Sequence, residues 1–258
     1  MNIFSGKRIL LVGATGVLGR GYAKAISELN VELVIADIEQ SDVLSYAKEL
    51  GVLGIEIDIS NEDSVIACVE YVRKQLGGLD SVINNAAATG EGLMREGGVF
   101  EEFEQYPLSV WQKTIDINLT GAFLLARESG RLIKETSSNG NMINVSSIYG
   151  VVAPDHRIYN DQSFKSFSGY SASKAGVIGL SKWLATWWGG KIRVNCVTPG
   201  GVFNNHNDSF VQEYSNRVPM GRMAEREELV GIILYLLSDS SSYVTGQNFI
   251  IDGGLTAW

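Results

Sequence analysis

Short apolar runs alternate with segments of helical periodicity along most of the chain. The runs are continuous, which is typical of strands buried on both faces of a parallel sheet. Strands are predicted at residues 7–12, 31–37, 52–57, 79–87, 141–146, 191–197 and 246–254, and helices at 22–29, 41–50, 60–76, 108–134, 168–188 and within 222–238. The alternation contains no repeat or linker, so it predicts one α/β domain over residues 1–258, a doubly wound, seven-stranded parallel sheet with helices on both faces.

A glycine-rich turn joins the first predicted strand to the first predicted helix. It reads G-A-T-G-V-L-G, with glycines at Gly13, Gly16 and Gly19. Such glycines let the N–H groups of a helix N-terminus approach the pyrophosphate of a dinucleotide, as in a Rossmann fold. Three spaced glycines alone are a weak signal, and the alternative is a tight strand-to-helix turn that binds nothing.

Asp37 strengthens the dinucleotide interpretation. It ends the second predicted strand, 18 residues after Gly19, near the spacing of ~20 residues expected for an acid that binds the adenosine ribose. A carboxylate there accepts a hydrogen bond from the 2′-hydroxyl and repels a 2′-phosphate, which favours NAD over NADP. The alternative is that Asp37 only stabilises a turn.

Polar residues also follow other predicted strands, at the edge where an open parallel sheet binds its ligand. Asp58 follows the third strand, where it could sit over an adenine, and the fourth strand runs into Asn84, Asn85 and Ala86. Residues 88–106 are glycine-rich and acidic without a clean period, so we predict a loop there.

A tyrosine and a lysine on the helix predicted at 168–188 suggest proton transfer. Tyr170 and Lys174 are four residues apart and share one helix face. We expect the ammonium to lower the phenol pKa from its ordinary value near ~10, so that the phenol could exchange a proton with a substrate oxygen. Ser147 could offer that oxygen a hydroxyl. Asn118 lies mid-helix, where asparagine has poor propensity; the alternative to a function there is a buried side chain bonded to backbone.

Composition and charge narrow the function classes. Of 258 residues, 45% are hydrophobic and 19% charged, which suits a globular core. The net charge of -8 disfavours non-specific binding to nucleic acid or anionic membranes. No apolar run reaches the ~18 residues that span a bilayer, and the N-terminus shows no signal-peptide pattern, so we expect a soluble cytoplasmic protein. Cys68 and Cys196 lack metal-type spacing, are expected to be reduced core residues, and no metal site is predicted.

These motifs together resemble the short-chain dehydrogenase/reductase family in its single-domain form. After the glycine turn, the resemblance rests on N-N-A-A, D-I-N-L-T-G, N-V-S-S-I-Y-G, Y-S-A-S-K, R-V-N-C-V-T-P-G and T-G-Q-N-F-I-I-D-G-G. A Y-x-x-x-K pair occurs by chance in many helices, whereas the whole ordered set does not. The resemblance implies hydride transfer between a nicotinamide cofactor and a secondary alcohol or ketone. Asp37 favours NAD over NADP as that cofactor.

The resemblance also implies roles for particular residues. Tyr170 would be the general acid and base. Lys174 would hold the nicotinamide ribose and lower the tyrosine pKa. Ser147 would orient the substrate oxygen, and Asn118 would hold a water that links the lysine to solvent. The implied cofactor-binding residues are Gly13, Thr15, Gly16, Val17, Leu18, Gly19, Asp37, Asp58, Ile59, Asn85, Ala86, Ala87, Tyr170, Lys174, Pro199, Gly200, Val202 and Asn204.

The sequence departs from the family pattern at several positions. Val17 replaces a glycine of the turn, Ala87 replaces the last glycine of N-N-A-G, and Asn204 stands where a threonine is common. The G-x-x-G-x-x-G spacing resembles a longer, sugar-nucleotide-modifying branch. Only 84 residues follow Lys174, too few for the extra C-terminal domain of that branch.

The largest departure is the distance between Ser147 and Tyr170. They are 23 residues apart, and relatives usually show roughly half that separation. The extra residues form the loop 153–167, which we expect at the mouth of the active site. With segments near Val202 and the C-terminus, this loop resembles a subgroup from flagellin-glycosylation loci that make nonulosonic acids, which implies a sugar, sugar phosphate or polyol substrate.

Three side chains of this loop are candidate substrate contacts. Arg157 or Lys165 could meet an anionic group of the substrate, with Tyr159 beside them. The alternative is a solvated loop. His156 and His206 are expected to be structural or exposed, since the tyrosine already supplies a proton.

Two other functions fit parts of the pattern. One is a sugar epimerase or dehydratase with tightly held NAD, and the other is a non-catalytic dinucleotide-binding regulator, which would require a broken Ser-Tyr-Lys set. Relatives commonly form tetramers, so we expect a homo-oligomer, tetramer or dimer, with a small-molecule substrate and neither nucleic acid nor membrane as a partner. The residues leave the substrate and the direction of hydride transfer open.

Overall fold

The computed structural model describes residue 4 and residues 6–89, 102–159 and 166–258. Its strands are β1 (Arg8–Val12), β2 (Glu32–Asp37), β3 (Leu53–Glu56), β4 (Ser81–Asn84), β5 (Gly140–Val145), β6 (Ile192–Pro199) and β7 (Asn248–Ile251). They form one parallel sheet in the order β3-β2-β1-β4-β5-β6-β7. Each strand overlaps one predicted apolar run, and the predicted fold class is confirmed.

Helices connect these strands and cover both faces of the sheet. Among the described residues they are α1 (Val17–Ser27), α2 (Val43–Leu50), α3 (Glu62–Leu76), α4 (Leu108–Ile115), α5 (Gly121–Thr136), α6 (Ser168–Trp188), α7 (Asp208–Ser215) and α8 (Val230–Leu237). The prediction for α6 is confirmed at both ends. The long helix predicted at 108–134 is divided by a π-helical turn, Asp116–Thr120, which contains Asn118.

Helix α1 begins five residues earlier than the helical period predicts. Glycine has poor helix propensity, and Gly19 and Gly21 obscure the period in the first turns. A Cβ at Gly19 would lie 2.0 Å from the Gly13 carbonyl oxygen. The close packing of α1 on the glycine turn therefore requires glycine at position 19. The same glycine weakens the helical pattern in the sequence, so the start of α1 is not predicted.

The two faces of the sheet bury separate hydrophobic cores, as β1 illustrates. Leu10 and Val12 join the cluster that contains residues of α3, α5 and α6. Ile9 and Leu11 join the cluster on the other face, with residues of α1, α2 and α8. All four are 0% exposed, which is the outcome of a strand whose successive side chains point to opposite, equally covered faces.

A third hydrophobic cluster lies apart from these two cores. Its buried members are Ile148, Ile158, Tyr159, Tyr214, Val218 and Met223, with Tyr149, Val152, Phe210, Val211 and Leu255 packed against them. We call this cluster the aromatic lobe. It joins the segment that follows β5 to helix α7 and its continuation, which are more than 50 residues apart in the chain.

The strand order reverses between β1 and β4. Val12 at the end of β1 lies in register with Asn84 at the end of β4, so the glycine turn and the Asn85 segment leave the sheet side by side. Open α/β sheets bind ligands in the crevice at such a reversal. The crevice therefore lies at the carboxyl ends of the strands, where the sequence predicts that a ligand would bind.

Candidate active site

The glycine turn is held close to the end of β4. Gly13 has a φ of +79°, and a Cβ there would lie 2.5 Å from the backbone nitrogen of Ala86. Asn85 Nδ2 donates to the Gly13 carbonyl oxygen at 2.7 Å. Both the backbone conformation and the close contact require glycine at this position.

The N-terminus of α1 presents unpaired backbone donors beside this turn. Gly16 is the N-cap, and in the described structure it has no side-chain cap and the first helical turn has no acidic residue. The leading N–H groups of a helix and its dipole both attract an anion. The residues thus fit the pyrophosphate of a dinucleotide, and a capping carboxylate does not compete for the donors.

Asp37 fastens the glycine turn to the end of β2. Its Oδ2 accepts from the Thr15 N–H at 2.8 Å and from the Thr15 hydroxyl at 2.6 Å, and its Oδ1 accepts from the Ile38 N–H at 2.8 Å. The turn-stabilising alternative is therefore present in the structure. Asp37 also borders the cavity described next, so the structural contact and the ribose-binding prediction are compatible.

A cavity of about 450 Å³ lies between the ends of β1, β2 and β4. It is lined by the predicted cofactor residues Gly13, Thr15, Gly16, Asp37, Asp58, Ile59, Asn85, Ala86 and Ala87, together with Val12, Ile38, Ile57, Ala88, Thr89, Lys113 and Ile117. The sequence missed Lys113 and Ile117. They come from α4 and the π-helical turn, which no local pattern assigns to the cofactor side of the sheet.

Asn118 clamps the segment after β4 to helix α6. It is 2% exposed. Its Oδ1 accepts from the Ala88 N–H at 2.7 Å, and its Nδ2 donates to the Ala88 carbonyl at 3.2 Å and to the Ser173 hydroxyl at 3.1 Å. The backbone-bonded alternative is therefore present in the structure, and the water-holding role of Asn118 stays a prediction.

Ser147 is positioned by a tight turn packed on α6. Its Oγ accepts from the Tyr149 N–H at 3.2 Å, capping the turn Ile148–Gly150. The hydroxyl of the preceding residue, Ser146, donates to the Lys174 carbonyl at 2.8 Å. A Cβ at Gly150 would lie 2.7 Å from the Lys174 carbonyl carbon. The second serine of the pair therefore stands next to the helix face that carries Tyr170.

Burial, rather than the lysine, dominates the chemistry of Tyr170. Desolvation raises the pKa of the phenol, and a hydrogen bond with Ser147 partly offsets this. The predicted lowering of the phenol pKa by Lys174 is therefore wrong for this structure. The Lys174 ammonium lies 5.8 Å from the Tyr170 ring centroid and donates to the Val145 carbonyl at 2.9 Å.

Lys174 itself is perturbed by its surroundings. It is 3% exposed, and desolvation lowers its pKa to about 8. Removing an ammonium from water disfavours its charged form. The site thus pairs a phenol that resists losing its proton with an amine that gives its proton up near neutral pH.

A second cavity, of about 500 Å³, shares Gly16 and Thr89 with the first. The predicted residues that line it are Ser147, Tyr159, Tyr170, Val17, Leu18, Pro199, Gly200, Val202 and Asn204. Gly19, Asn118 and Lys174 are not among the described residues that line either cavity. The serine, the tyrosine and the predicted cofactor residues therefore belong to one continuous site.

Arg157 does not contribute to this site. Its guanidinium donates to both oxygens of Asp155, at 2.9 and 2.7 Å, and its side chain is 80% exposed. Asp155 also pairs with Arg217 at 2.7 Å. The anion-binding prediction for Arg157 is corrected, because a carboxylate two residues away captures the side chain at the surface. Lys165 lies outside the described residues.

Several aromatic residues of the second cavity were not anticipated. They are Tyr149, Phe210, Tyr214 and His206. The Tyr214 hydroxyl accepts from the Gly201 N–H, and the His206 ring stacks on Phe210 with centroids 5.1 Å apart. Tyr149 could have been found, because it lies two residues after Ser147 in a motif already identified. Phe210 and Tyr214 share a helix face, but nothing local directs that face to the site.

The fold and this site define a dinucleotide-dependent α/β oxidoreductase. Residues 13–256 match the family model described as enoyl-(acyl carrier protein) reductase. The chain belongs to the short-chain dehydrogenase/reductase family, whose members bind a nicotinamide cofactor.

Curated relatives match nearly the full chain. Trans-4-hydroxycyclohexanecarboxylate dehydrogenase from Sinomonas cyclohexanicum is 32% identical, covering 97% of this chain and 93% of its own length. Post-translational flagellin modification protein A from Campylobacter coli is 29% identical, covering 96% of this chain and 97% of its own length.

Solved structures agree with this assignment. A short-chain dehydrogenase from Leptospira borgpetersenii with bound NAD+ has a TM-score of 0.86 at 34% identity, over 98% of this chain and 94% of its own. An NADPH-dependent 3-quinuclidinone reductase from Rhodotorula rubra has a TM-score of 0.83 at 28% identity, over 100% of this chain and 94% of its own. The neighbours thus include both nicotinamide cofactors.

The described residues contain neither a candidate membrane-spanning helix nor a cluster of metal-type ligands. None of the helices in that part of the chain combines the length and apolar character needed to cross a bilayer. Within the same residues, no group of three or more His, Cys, Asp or Glu side chains is placed to hold a metal ion.

Proposed function

We propose that this protein is an NAD-dependent oxidoreductase that moves a hydride between nicotinamide and a secondary alcohol or ketone of a sugar or polyol. The observation that carries the proposal is that Ser147 and Tyr170 together line the wall of the second cavity. That wall adjoins the glycine-turn cavity at Gly16, so a dinucleotide in the first cavity would reach the pair. The relative named for flagellin modification supports the predicted subgroup.

The side chains supply the proton chemistry of such a reaction. In the oxidative direction, Tyr170 must first lose its own proton, because only the phenolate oxygen can accept the proton of the substrate hydroxyl, which Ser147 holds by a hydrogen bond. A nicotinamide cofactor, when bound, would be the acceptor of the hydride that leaves the carbinol carbon. The Lys174 ammonium stabilises negative charge that develops on the phenol, and its pKa of about 8 allows it to pass a proton on near neutral pH.

The carboxylates near the expected position of the adenosine ribose favour NAD over NADP. Asp37 places a carboxylate at the edge of the first cavity, and Asp58 places a second one there. A 2′-phosphate brought to this edge would be repelled by both. Asn118 contributes by holding Ala88, which lines this cavity, against α6.

The proposal is tested by replacing Tyr170 with phenylalanine. NAD+ reduction would first be screened over sugars, sugar phosphates and polyols with the unmodified protein. Tyr170→Phe should lower kcat/KM on the best substrate by about 10²–10⁴-fold, which is the usual contribution of a general acid or base. NADH binding, followed by fluorescence, should change by less than about twofold because the phenol lies on the substrate side.

Tyr22→Phe is the matched control, since that phenol is 0% exposed within the core. Full activity of Tyr170→Phe would refute the assigned chemistry. Cofactor that survives dialysis, together with turnover that yields no net NADH, would instead support the epimerase or dehydratase alternative. Tighter binding of NADP+ than NAD+ in the same titration would overturn the cofactor preference.

A further inference from the structure

Helix α7 and the residues before it contribute a row of rings to the second cavity. His206, Phe210 and Tyr214 are spaced four residues apart, and all three line this cavity. The ring centroids of His206 and Phe210 are 5.1 Å apart, and those of Phe210 and Tyr214 are 6.1 Å apart. The row ends at Tyr214, which is buried beside the segment that follows β6.

Tyr214 is bonded to that segment through its hydroxyl group. The hydroxyl oxygen accepts from the Gly201 N–H, and a Cβ at Gly201 would lie 2.5 Å from the Cζ atom of the tyrosine ring. The ring can come this close only because position 201 has no side chain. Burial raises the pKa of the Tyr214 phenol to about 12, so at neutral pH the hydroxyl keeps its proton and accepts through a lone pair.

The two peptide groups that flank Gly201 are each fixed by one hydrogen bond. The N–H on one side is held by Tyr214, and the carbonyl on the other side accepts from the Ala224 N–H at 3.0 Å. Glycine has more backbone freedom than any other residue, so these two bonds restrict a position that would otherwise rotate easily. The Tyr214 hydroxyl supplies one of the two restraints.

The next residue shows what this restriction controls. Val202, a predicted cofactor residue, lines the second cavity, and its N–H donates to no other group in the described part of the chain. This N–H belongs to the same planar peptide group as the Gly201 carbonyl, so rotation about Gly201 would change its direction. The carboxamide oxygen of a nicotinamide is an acceptor that such a donor fits.

We propose that Tyr214 is a positioning residue, which holds the segment 200–202 in place against the nicotinamide end of the cofactor through its bond to Gly201. This inference rests on the proposed function, because hydride transfer requires the nicotinamide close to the carbon whose oxygen Ser147 and Tyr170 bind. Tyr214 thereby links helix α7, which lines the cavity, to the backbone on the cofactor side.

The test compares two ligands that differ in the nicotinamide. Tyr214→Phe removes the hydroxyl oxygen and keeps the ring, and the binding of NADH and of ADP-ribose, which lacks the nicotinamide, would be measured by titration calorimetry. We expect the Kd of NADH to rise about three- to tenfold, the usual worth of one neutral hydrogen bond. The Kd of ADP-ribose should change by less than about twofold. Unchanged NADH binding, or equal weakening of both ligands, would overturn the proposal.

Tyr22→Phe is the matched control, because it removes a buried phenol of the core and should change neither Kd. Thermal unfolding of each variant shows whether it is folded at the temperature of the titrations.

Gly201→Ala tests the same contact from the other side. The added Cβ would push the Tyr214 ring away, so NADH should again be weakened and ADP-ribose should not. Adding Tyr214→Phe to Gly201→Ala should weaken NADH by less than about twofold more, since both changes break one hydrogen bond. Fully additive effects would contradict the shared contact. The Tyr214→Phe titrations decide the proposal even if Gly201→Ala does not fold.

The outcomes separate this inference from the proposed function, because the titrations need no substrate. If Tyr170→Phe is inactive while Tyr214→Phe weakens NADH and ADP-ribose equally, only the positioning role is refuted. If Tyr170→Phe keeps full activity, the proposed function fails whatever the titrations give.

Discussion

Lys174 is the clearest case of a residue whose chemistry is set by burial. Because its pKa in the folded protein, about 8, lies below its ordinary value of 10.5, the unfolded chain binds the extra proton between these pH values. The cost of burying the ammonium is therefore fully present below pH 8 and disappears as the pH rises past 10.5. That difference corresponds to about 3 kcal/mol.

We expect Lys174→Met to be more stable than the unmodified protein at pH 7, by up to about 3 kcal/mol. The gain is reduced by loss of the hydrogen bond to Val145 and should shrink between pH 8 and 10.5. Urea unfolding at pH 7 and pH 10 measures it. Lys182→Met, at an exposed position of the same helix, should show no such pH dependence. A gain that grew with pH would contradict the argument.

At the scale of elements, the site depends on how closely the turn Ile148–Gly150 approaches α6. A Cβ at Gly150 would meet backbone atoms of Lys174 and Ala175 at 2.7 and 2.8 Å. Helix backbone cannot yield as a side chain does, so the turn must move. Ser147 would move with it, away from Tyr170.

We expect Gly150→Ala to destabilise the fold by about 1–3 kcal/mol, as overpacking does, and to lower kcat more than it weakens NADH binding. Denaturant unfolding and steady-state kinetics report the two effects. Gly231→Ala is the control, because that position on α8 has no atom within 4 Å of the added Cβ among the described residues. It should stabilise by about 0.5–1 kcal/mol. Wild-type kinetics in Gly150→Ala would show that the close approach is unimportant.

The positions of the elements and the chemistry of individual residues were predictable from the sequence to different degrees. Strand and helix positions depend on local apolar periodicity, and the catalytic candidates depend on short motifs, so both could be located from the residues alone. The Tyr170 pKa could not, because it depends on desolvation by segments far away in the chain. The outward direction of Arg157 depends on competition between Asp155 and the cavity, which a linear pattern does not contain.

At the scale of the molecule, one face carries exposed aromatic residues. Trp183 and Trp187 of α6 are 55% and 69% exposed, with ring centroids 5.1 Å apart. Phe123 of α5 is 47% exposed, and Arg127 and Arg131 border the same depression. An apolar patch with a charged rim is typical of a protein–protein interface, which agrees with the predicted homo-oligomer.

We expect the unmodified protein to sediment as a dimer or tetramer and the double variant Trp183→Ser/Trp187→Ser to dissociate. The reason is that two large ring surfaces at the centre of the patch would be lost. Sedimentation velocity at micromolar concentration measures this. Leu44→Ser on α2, where the side chain is 52% exposed, is the control and should keep the native size. An unchanged double variant would place the interface elsewhere.

The sequence by itself determined the sheet, the glycine turn, the order of the motifs and the candidate catalytic residues between Ser147 and Lys174. These features follow from period, spacing and residue type, which are local properties of the chain. Only the tertiary structure decided what the substrate would meet. The aromatic lobe is built from segments more than 50 residues apart. Those segments come together only through packing in three dimensions, which no local pattern of the chain contains.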